Sequence, residues 1–316
     1  MYGCWCLPPT ATQLVVSAAS HTGRVRPANQ DAYGYSAEAQ CFAVCDGMGG
    51  AAGGEVASRV AVETFLERLG PELPADSAPV STGRRIEQAV AAANRILYTR
   101  AQRDHALHGM GTTLVALVLS EPAFSEPARE DRGEQDKTGE RVRRAGRVSR
   151  ARTGRSAREG GVVLRASAGV GGGVRSRAHA WIAHVGDSRC YLLRRGALRR
   201  CTRDHSLVEE QVRLGQMTPA EAAASPMRHV ITRAVGVRRS VAVEVQELEI
   251  EPGDLFLLCS DGLTRELDEA RLADLLAQLL AELPDRTGAG LAEALVREAL
   301  AAGGGDNITC LTVHMA

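Results

Sequence analysis

The stretch Ala180-Trp-Ile-Ala-His-Val185, Gly186-Asp187-Ser188, Arg189-Cys190-Tyr-Leu-Leu-Arg194, Arg195-Gly196 decides the fold. Two short apolar runs rich in β-formers, 180–185 and 190–194, are bounded by turn residues, and Arg195-Gly196 marks a tight hairpin. Outward from this stretch, runs of the same kind stand at 13–19, 41–45, 113–119, 241–250, 255–259 and 308–314. Helical spacing takes over at 55–69 and at 84–103, where Ile86, Val90, Ala93 and Leu97 recur on one face. Two more helices are predicted at 268–283, opened by Asp268 as N-cap, and at 291–302, closed by Gly303. Strands thus come in groups with helix pairs between them, which predicts an α+β protein with antiparallel sheets instead of a doubly wound parallel sheet.

The 316 residues carry 38 basic and 38 acidic side chains, so no net charge drives the chain onto nucleic acid or an acidic membrane. Apolar residues never run unbroken for the roughly 18 to 20 positions that a membrane helix requires. No basic and apolar leader opens the sequence, and a cytoplasmic location is expected. Lys137 is the single lysine, and no GxxxxGK precedes it, which excludes a Walker-type nucleotide site. Cysteines 4, 6, 41, 45, 190, 201, 259 and 310 form no CxxC pair and read as small hydrophobes, not as a zinc site or disulfide frame. Composition breaks once, over 121–178, where 14 basic and 8 acidic residues accompany a single aromatic, Phe124. This stretch is predicted to be a disordered insert of net charge +6 on a body of −6.

Chemistry is signalled by where the aspartates fall. The runs 41–45, 255–259 and 180–185 lead into Asp46-Gly47, Ser260-Asp261-Gly262 and Gly186-Asp187, and Asp306-Asn307 stands immediately before 308–314. One Asp-Gly is an ordinary turn. Four carboxylates at the ends of four apolar strands would repel one another unless a cation joined them, and an oxygen-only set selects Mg²⁺ or Mn²⁺ over Zn²⁺ or Cu²⁺. Arg26 and Asp31, in the loop after the first strand, add a guanidinium fork suited to a phosphoryl oxygen beside the ions.

Eight segments in order, GRVRPANQD, VCDGMGG, GMGTTLVAL, HVGDSRCYLLRRGAL, TRDHSLVEE, ITRAVG, LCSDGL and GGGDNIT, resemble the PPM family of metal-dependent protein serine/threonine phosphatases, also called type 2C, in its compact bacterial form. The resemblance implies a four-layer α-β-β-α sandwich of two antiparallel sheets flanked by helices. It spans a domain over 12–316, interrupted by the 121–178 insert and preceded by an extension over 1–11. It further implies that Asp46 bridges two Mn²⁺ or Mg²⁺ ions, that the Gly47 carbonyl ligates one, and that Asp261 and Asp306 complete its set. Asp31 would bind through water near the second ion, and Asp187 with Asp261 would hold the third ion of bacterial members. Arg26 would grip the substrate phosphate, Asn307 would support Asp306, and 206–229 would form the flap beside the site. Two positions depart from the family pattern: Gln30 replaces a frequent Glu, and Met48 replaces the His of many eukaryotic members, so the proton donor is unassigned.

The implied function is hydrolysis of phosphoserine and phosphothreonine on proteins through a metal-bridging hydroxide, opposing serine/threonine kinases in bacterial signalling. Phosphoproteins would be its partners and a monomer its state. A pseudophosphatase would have lost Asp46, Asp261 or Asp306, and all three are present. A nucleic-acid role for the Arg-rich insert is disfavoured by its single aromatic and interspersed acids. His205 and His184 are read as structural, Ser188 and Ser260 as poor nucleophile candidates with no evident base, and Thr112 and Thr113 as residues that start a strand.

Overall fold

Runs such as Leu255–Cys259 are apolar at every position, so the strands they form must be covered on both faces. The computed structural model describes residues 14–37, 39–70, 81–120, 178–282, 288 and 290–316. The 1–11 extension and all of the 121–178 insert except Ala178 lie outside the described residues. In chain order the elements are β1 (Leu14–His21), β2 (Asp31–Ser36), β3 (Cys41–Met48), α1 (Gly50–Leu69), α2 (Thr82–Arg103), β4 (Gly111–Thr112), β5 (Leu114–Ser120), β6 (His179–Val185), β7 (Arg189–Arg194) and β8 (Ala197–Arg200). There follow α3 (Leu207–Arg213), α4 (Pro219–Ala224), β9 (Glu244–Glu249), β10 (Leu255–Cys259), α5 (Asp261–Glu266), α6 (Glu269–Glu282), α7 (Leu291–Ala302) and β11 (Ile308–Met315).

One antiparallel sheet has the order β1-β11-β10-β7-β8, and the other β2-β3-β5-β6-β9, with β4 added to β3. Period-two alternation assigns each face. Phe42 and Val44 of β3 meet Phe256 and Leu258 of β10 and Leu311 and Val313 of β11 between the sheets. Cys41, Ala43 and Cys45 face outward to Phe65, Ile86, Val90 and Leu97 of α1 and α2. Leu257, Cys259 and Cys310 of the other sheet meet Leu272, Leu276, Leu295 and Ala299 of α6 and α7. The result is the α-β-β-α sandwich.

At the β7–β8 turn Arg195 has φ 53° and Gly196 φ 79°, the double left-handed conformation that matches hairpin twist. β6 and β7, although consecutive, belong to different sheets, so Gly186-Asp187-Ser188 carries the chain across the sandwich at one end. Ser120 pairs with His179, and the 121–178 stretch therefore leaves and rejoins the body at neighbouring points of one hairpin.

Two predicted elements are shorter in the structure. The 241–250 strand is only Glu244–Glu249, because the β6–β9 ladder ends at the His184–Glu244 pair, one residue before β6 itself ends at Val185. The 268–283 helix begins at Glu269; Asp268 is its cap, accepting the Arg271 N–H on Oδ1 at 2.8 Å, and residue 283 lies outside the described ones.

Candidate metal centre

Asp46 stands near the end of β3, directly opposite Asp31 of β2 in the antiparallel register. Two threonines hold its backbone. Its N–H donates to Thr113 Oγ1 at 2.9 Å, and its carbonyl accepts from Thr112 Oγ1 at 2.8 Å and the Thr113 N–H at 2.9 Å. Thr113 Oγ1 also shares a 2.7 Å hydrogen bond with Ser188 Oγ, which ties this strand end to the turn bearing Asp187. Asp31 is fully buried, and Ser260, the residue before Asp261, donates its hydroxyl to Asp31 Oδ2 at 2.8 Å while accepting the Thr309 N–H at 3.0 Å. The hydroxyls of the two GTT threonines and of Ser260 are thus the scaffold of the cluster.

Asn307 joins the last strand to the Arg26 loop. Its Oδ1 accepts the Gln30 N–H at 2.8 Å, and its Nδ2 donates to the carbonyls of Thr22 at 2.8 Å and Ala28 at 3.0 Å. The Gln30 side chain donates to the Gly50 carbonyl at 2.9 Å, at the start of α1. Close backbone approach explains two glycines of the motifs: a Cβ on Gly47 would lie 2.0 Å from the Gly54 carbonyl oxygen, and one on Gly262 2.0 Å from that of Asn307.

Burial and mutual repulsion act together on the carboxylates. Burial pushes Asp31 and Asp187 up to about 7, aided in both by the charge of Asp261. Asp46 lies well above the carboxylate range, from burial and then from Asp31, Asp261, Asp187 and Asp306. Asp261 is raised by burial, with the charge of Asp306 adding to this and Arg265 opposing it. Asp31 Oδ1 and Asp261 Oδ1 are buried oxygens with no hydrogen-bond partner. Oxygen-only donors, excess negative charge and orphaned lone pairs together fit hard divalent cations. On the solvent side, Arg26 engages both oxygens of Asp306, Nε to Oδ1 and Nη2 to Oδ2, each at 2.8 Å.

The two histidines lie apart from this cluster. His184 and His205 stack with ring centroids 4.7 Å apart, and Glu244 lies beside both. His205 Nδ1 accepts the Gly186 N–H at 3.1 Å, which leaves Nε2 protonated toward Glu244 Oε1 at 3.1 Å. His184 Nε2 donates to the Arg203 carbonyl at 2.8 Å, and Arg233 already contributes the positive charge at 3.1 Å from Glu244. The group is therefore a closed hydrogen-bond network. Burial holds both rings below the usual imidazole range, and in His205 the charge of His184 adds to it. The folded state then binds fewer protons than the unfolded one, so stability is lost as pH falls through about 6.5 toward the depressed values. Between about pH 7.5 and about pH 5.5, the parent's Tm is expected to fall faster than that of His184→Gln, by a few degrees. Calorimetry of both proteins at one Mn²⁺ concentration checks this, and parallel pH profiles would refute it.

Comparison with known proteins agrees with this fold. Residues 19–126 match the protein phosphatase 2C family, and residues 220–316 match the family of stage II sporulation protein E. The serine/threonine phosphatase stp of Listeria innocua is 29% identical over 299 residues, covering 92% of each chain. The serine/threonine protein phosphatase PstP of Mycobacterium tuberculosis is 30% identical over 299 residues, covering 95% of this chain and 44% of that protein. The crystal structure of the M. tuberculosis phosphatase PstP/Ppp superposes with a TM-score of 0.67 at 27% identity, covering 96% of this chain and 99% of that one. The PstP catalytic domain in complex with two manganese ions superposes with a TM-score of 0.65 at 27% identity, over 96% of this chain and 98% of the other. In fold and in its matched segments the chain is similar to the bacterial PPM family of metal-dependent protein phosphatases.

Proposed function

We propose that this protein hydrolyses phosphoserine and phosphothreonine on proteins, using Mn²⁺ or Mg²⁺. The observation that carries this reading is the oxygen-only cluster at the strand ends, with its orphaned Oδ1 atoms on Asp31 and Asp261. Asp46, the Gly47 carbonyl, Asp261 and Asp306 would hold the two core ions, with Asp31 near the second. Asp187 with Asp261 would hold a third. Once bound, such ions supply an activated water and polarise the phosphoryl oxygens. Arg26, released from Asp306, grips the phosphoryl group through its planar fork and orients it for in-line attack. Asn307 keeps the Arg26 loop at a fixed height over β11 by bonding residues on both sides of it. Residues 12–316 act as the catalytic domain, and its phosphoprotein substrates place it opposite serine/threonine kinases, as a cytoplasmic monomer.

The test is hydrolysis of a phosphothreonine peptide with Mn²⁺, with Mg²⁺ and with excess chelator. Turnover is expected only with a metal ion. Full activity in chelator would overturn the reading, as would metal binding without any turnover of phosphopeptides.

A further inference from the structure

The acidic cluster is covered on its solvent side by a second arginine that belongs to none of the sequence motifs. Arg265 lies one helical turn beyond Asp261 on α5, and the i,i+4 spacing puts both side chains on one face. Its guanidinium spans two strand-end carboxylates at once, Nη2 on Asp261 Oδ2 and Nη1 at 2.5 Å from Asp306 Oδ2. With Arg26 on the far side of Asp306 and the Asn307 N–H on its Oδ1 at 2.8 Å, both oxygens of that carboxylate are taken, each of them twice.

We infer that Arg265 is a built-in counter-cation that competes with the divalent metal for Asp261 and Asp306, and so sets the metal concentration at which the centre fills. This holds granted that these two carboxylates are the metal ligands proposed above. A guanidinium that occupies a carboxylate oxygen must give it up before an ion can use it. It also relieves the repulsion among the clustered aspartates while no ion is present. The competition is moderate, because the Arg265 side chain is 32% exposed and its ion pairs are partly screened by water. Arg26 has a second task at the phosphate, so its removal would mix two effects. Arg265 has no such task, and replacing it isolates the competition.

The experiment is calorimetric titration of Mn²⁺ into the chelator-stripped full chain, comparing the parent with Arg265→Ala, Arg265→Lys and Asp261→Asn. Arg265→Ala is expected to bind Mn²⁺ about tenfold more tightly, as removal of a half-screened competing charge implies. Stripped of metal, the same variant is expected to melt below the parent, and to gain more Tm on adding Mn²⁺. Arg265→Lys should fall between the two, since it keeps the charge but loses the fork, and it carries the test if the stripped Ala variant does not fold. Equal or weaker Mn²⁺ binding by Arg265→Ala, with Asp261→Asn losing binding, would overturn the role of Arg265 alone. Binding by Asp261→Asn that matches the parent would overturn the ligand assignment and this role with it.

Discussion

Asp46→Asn is expected to lower turnover of a phosphothreonine peptide by at least about 10²-fold at saturating Mn²⁺, the cost typical of a lost metal ion or of lost electrostatic stabilisation in the transition state. The substitution keeps the shape of the side chain. Its backbone bonds to Thr112 and Thr113 do not involve the carboxylate and survive. What disappears is one negative charge among five crowded aspartates, at the position that faces Asp31 and feels the charges of Asp261, Asp187 and Asp306. Because burial and the neighbouring acids hold Asp46 far above the carboxylate range, ionising it costs the metal-free protein stability as pH rises. Asp46→Asn removes that cost, and its Tm in chelator at neutral pH is expected to equal or exceed the parent's. Kinetics with Mn²⁺ and calorimetry with chelator, run on one preparation, check both halves. Near-parental turnover would remove Asp46 from the reaction centre, and a collapse in Tm would recast it as a structural residue.

Much of this centre is legible in the sequence because an apolar strand running into Asp-Gly or Ser-Asp-Gly is a local pattern. The strand Leu255–Cys259 and the helix Leu291–Ala302 have the predicted bounds, since turn or cap residues flank each one. Other features depend on register and stay hidden. β2 reads Asp-Ala-Tyr-Gly-Tyr-Ser, with no apolar run, and becomes a strand only by pairing along β3. Thr112, Thr113 and Ser260 are three hydroxyls spread over 149 positions, and only the folded sheets show that they brace Asp46 and Asp31. The crossing from one sheet to the other at Gly186-Asp187-Ser188 has the same local sequence as a hairpin turn. Arg265 sits in a helix of six residues with no amphipathic period to reveal its face. Side chains that act through a partner distant in sequence leave no mark in a linear pattern.

Arg26→Ala is expected to lower kcat/KM for a phosphopeptide by about 10²-fold, through a higher KM and a lower kcat together. Two charge-assisted hydrogen bonds of about 1.5 to 3 kcal/mol each are at stake, and the part that strengthens as phosphorus is attacked appears in kcat. Stability is not expected to follow. The Arg26 side chain is 53% exposed, and exposed ion pairs such as the one with Asp306 contribute about 0 to 1 kcal/mol. The Tm of the variant should therefore stay within a few degrees of the parent's, which separates a lost grip on substrate from a damaged loop. Asn307 makes this separation possible, because it fixes the loop through Thr22, Ala28 and Gln30 and leaves Arg26 with no structural duty. Arg26→Lys should recover little, since an ammonium supplies charge without the planar pair of donors. A small aryl phosphate should suffer as much as the phosphopeptide, because the contact is to the phosphoryl group common to both. If Ala and Lys variants both turn over the two substrates like the parent, Arg26 is a surface residue whose pairing with Asp306 has no part in the reaction.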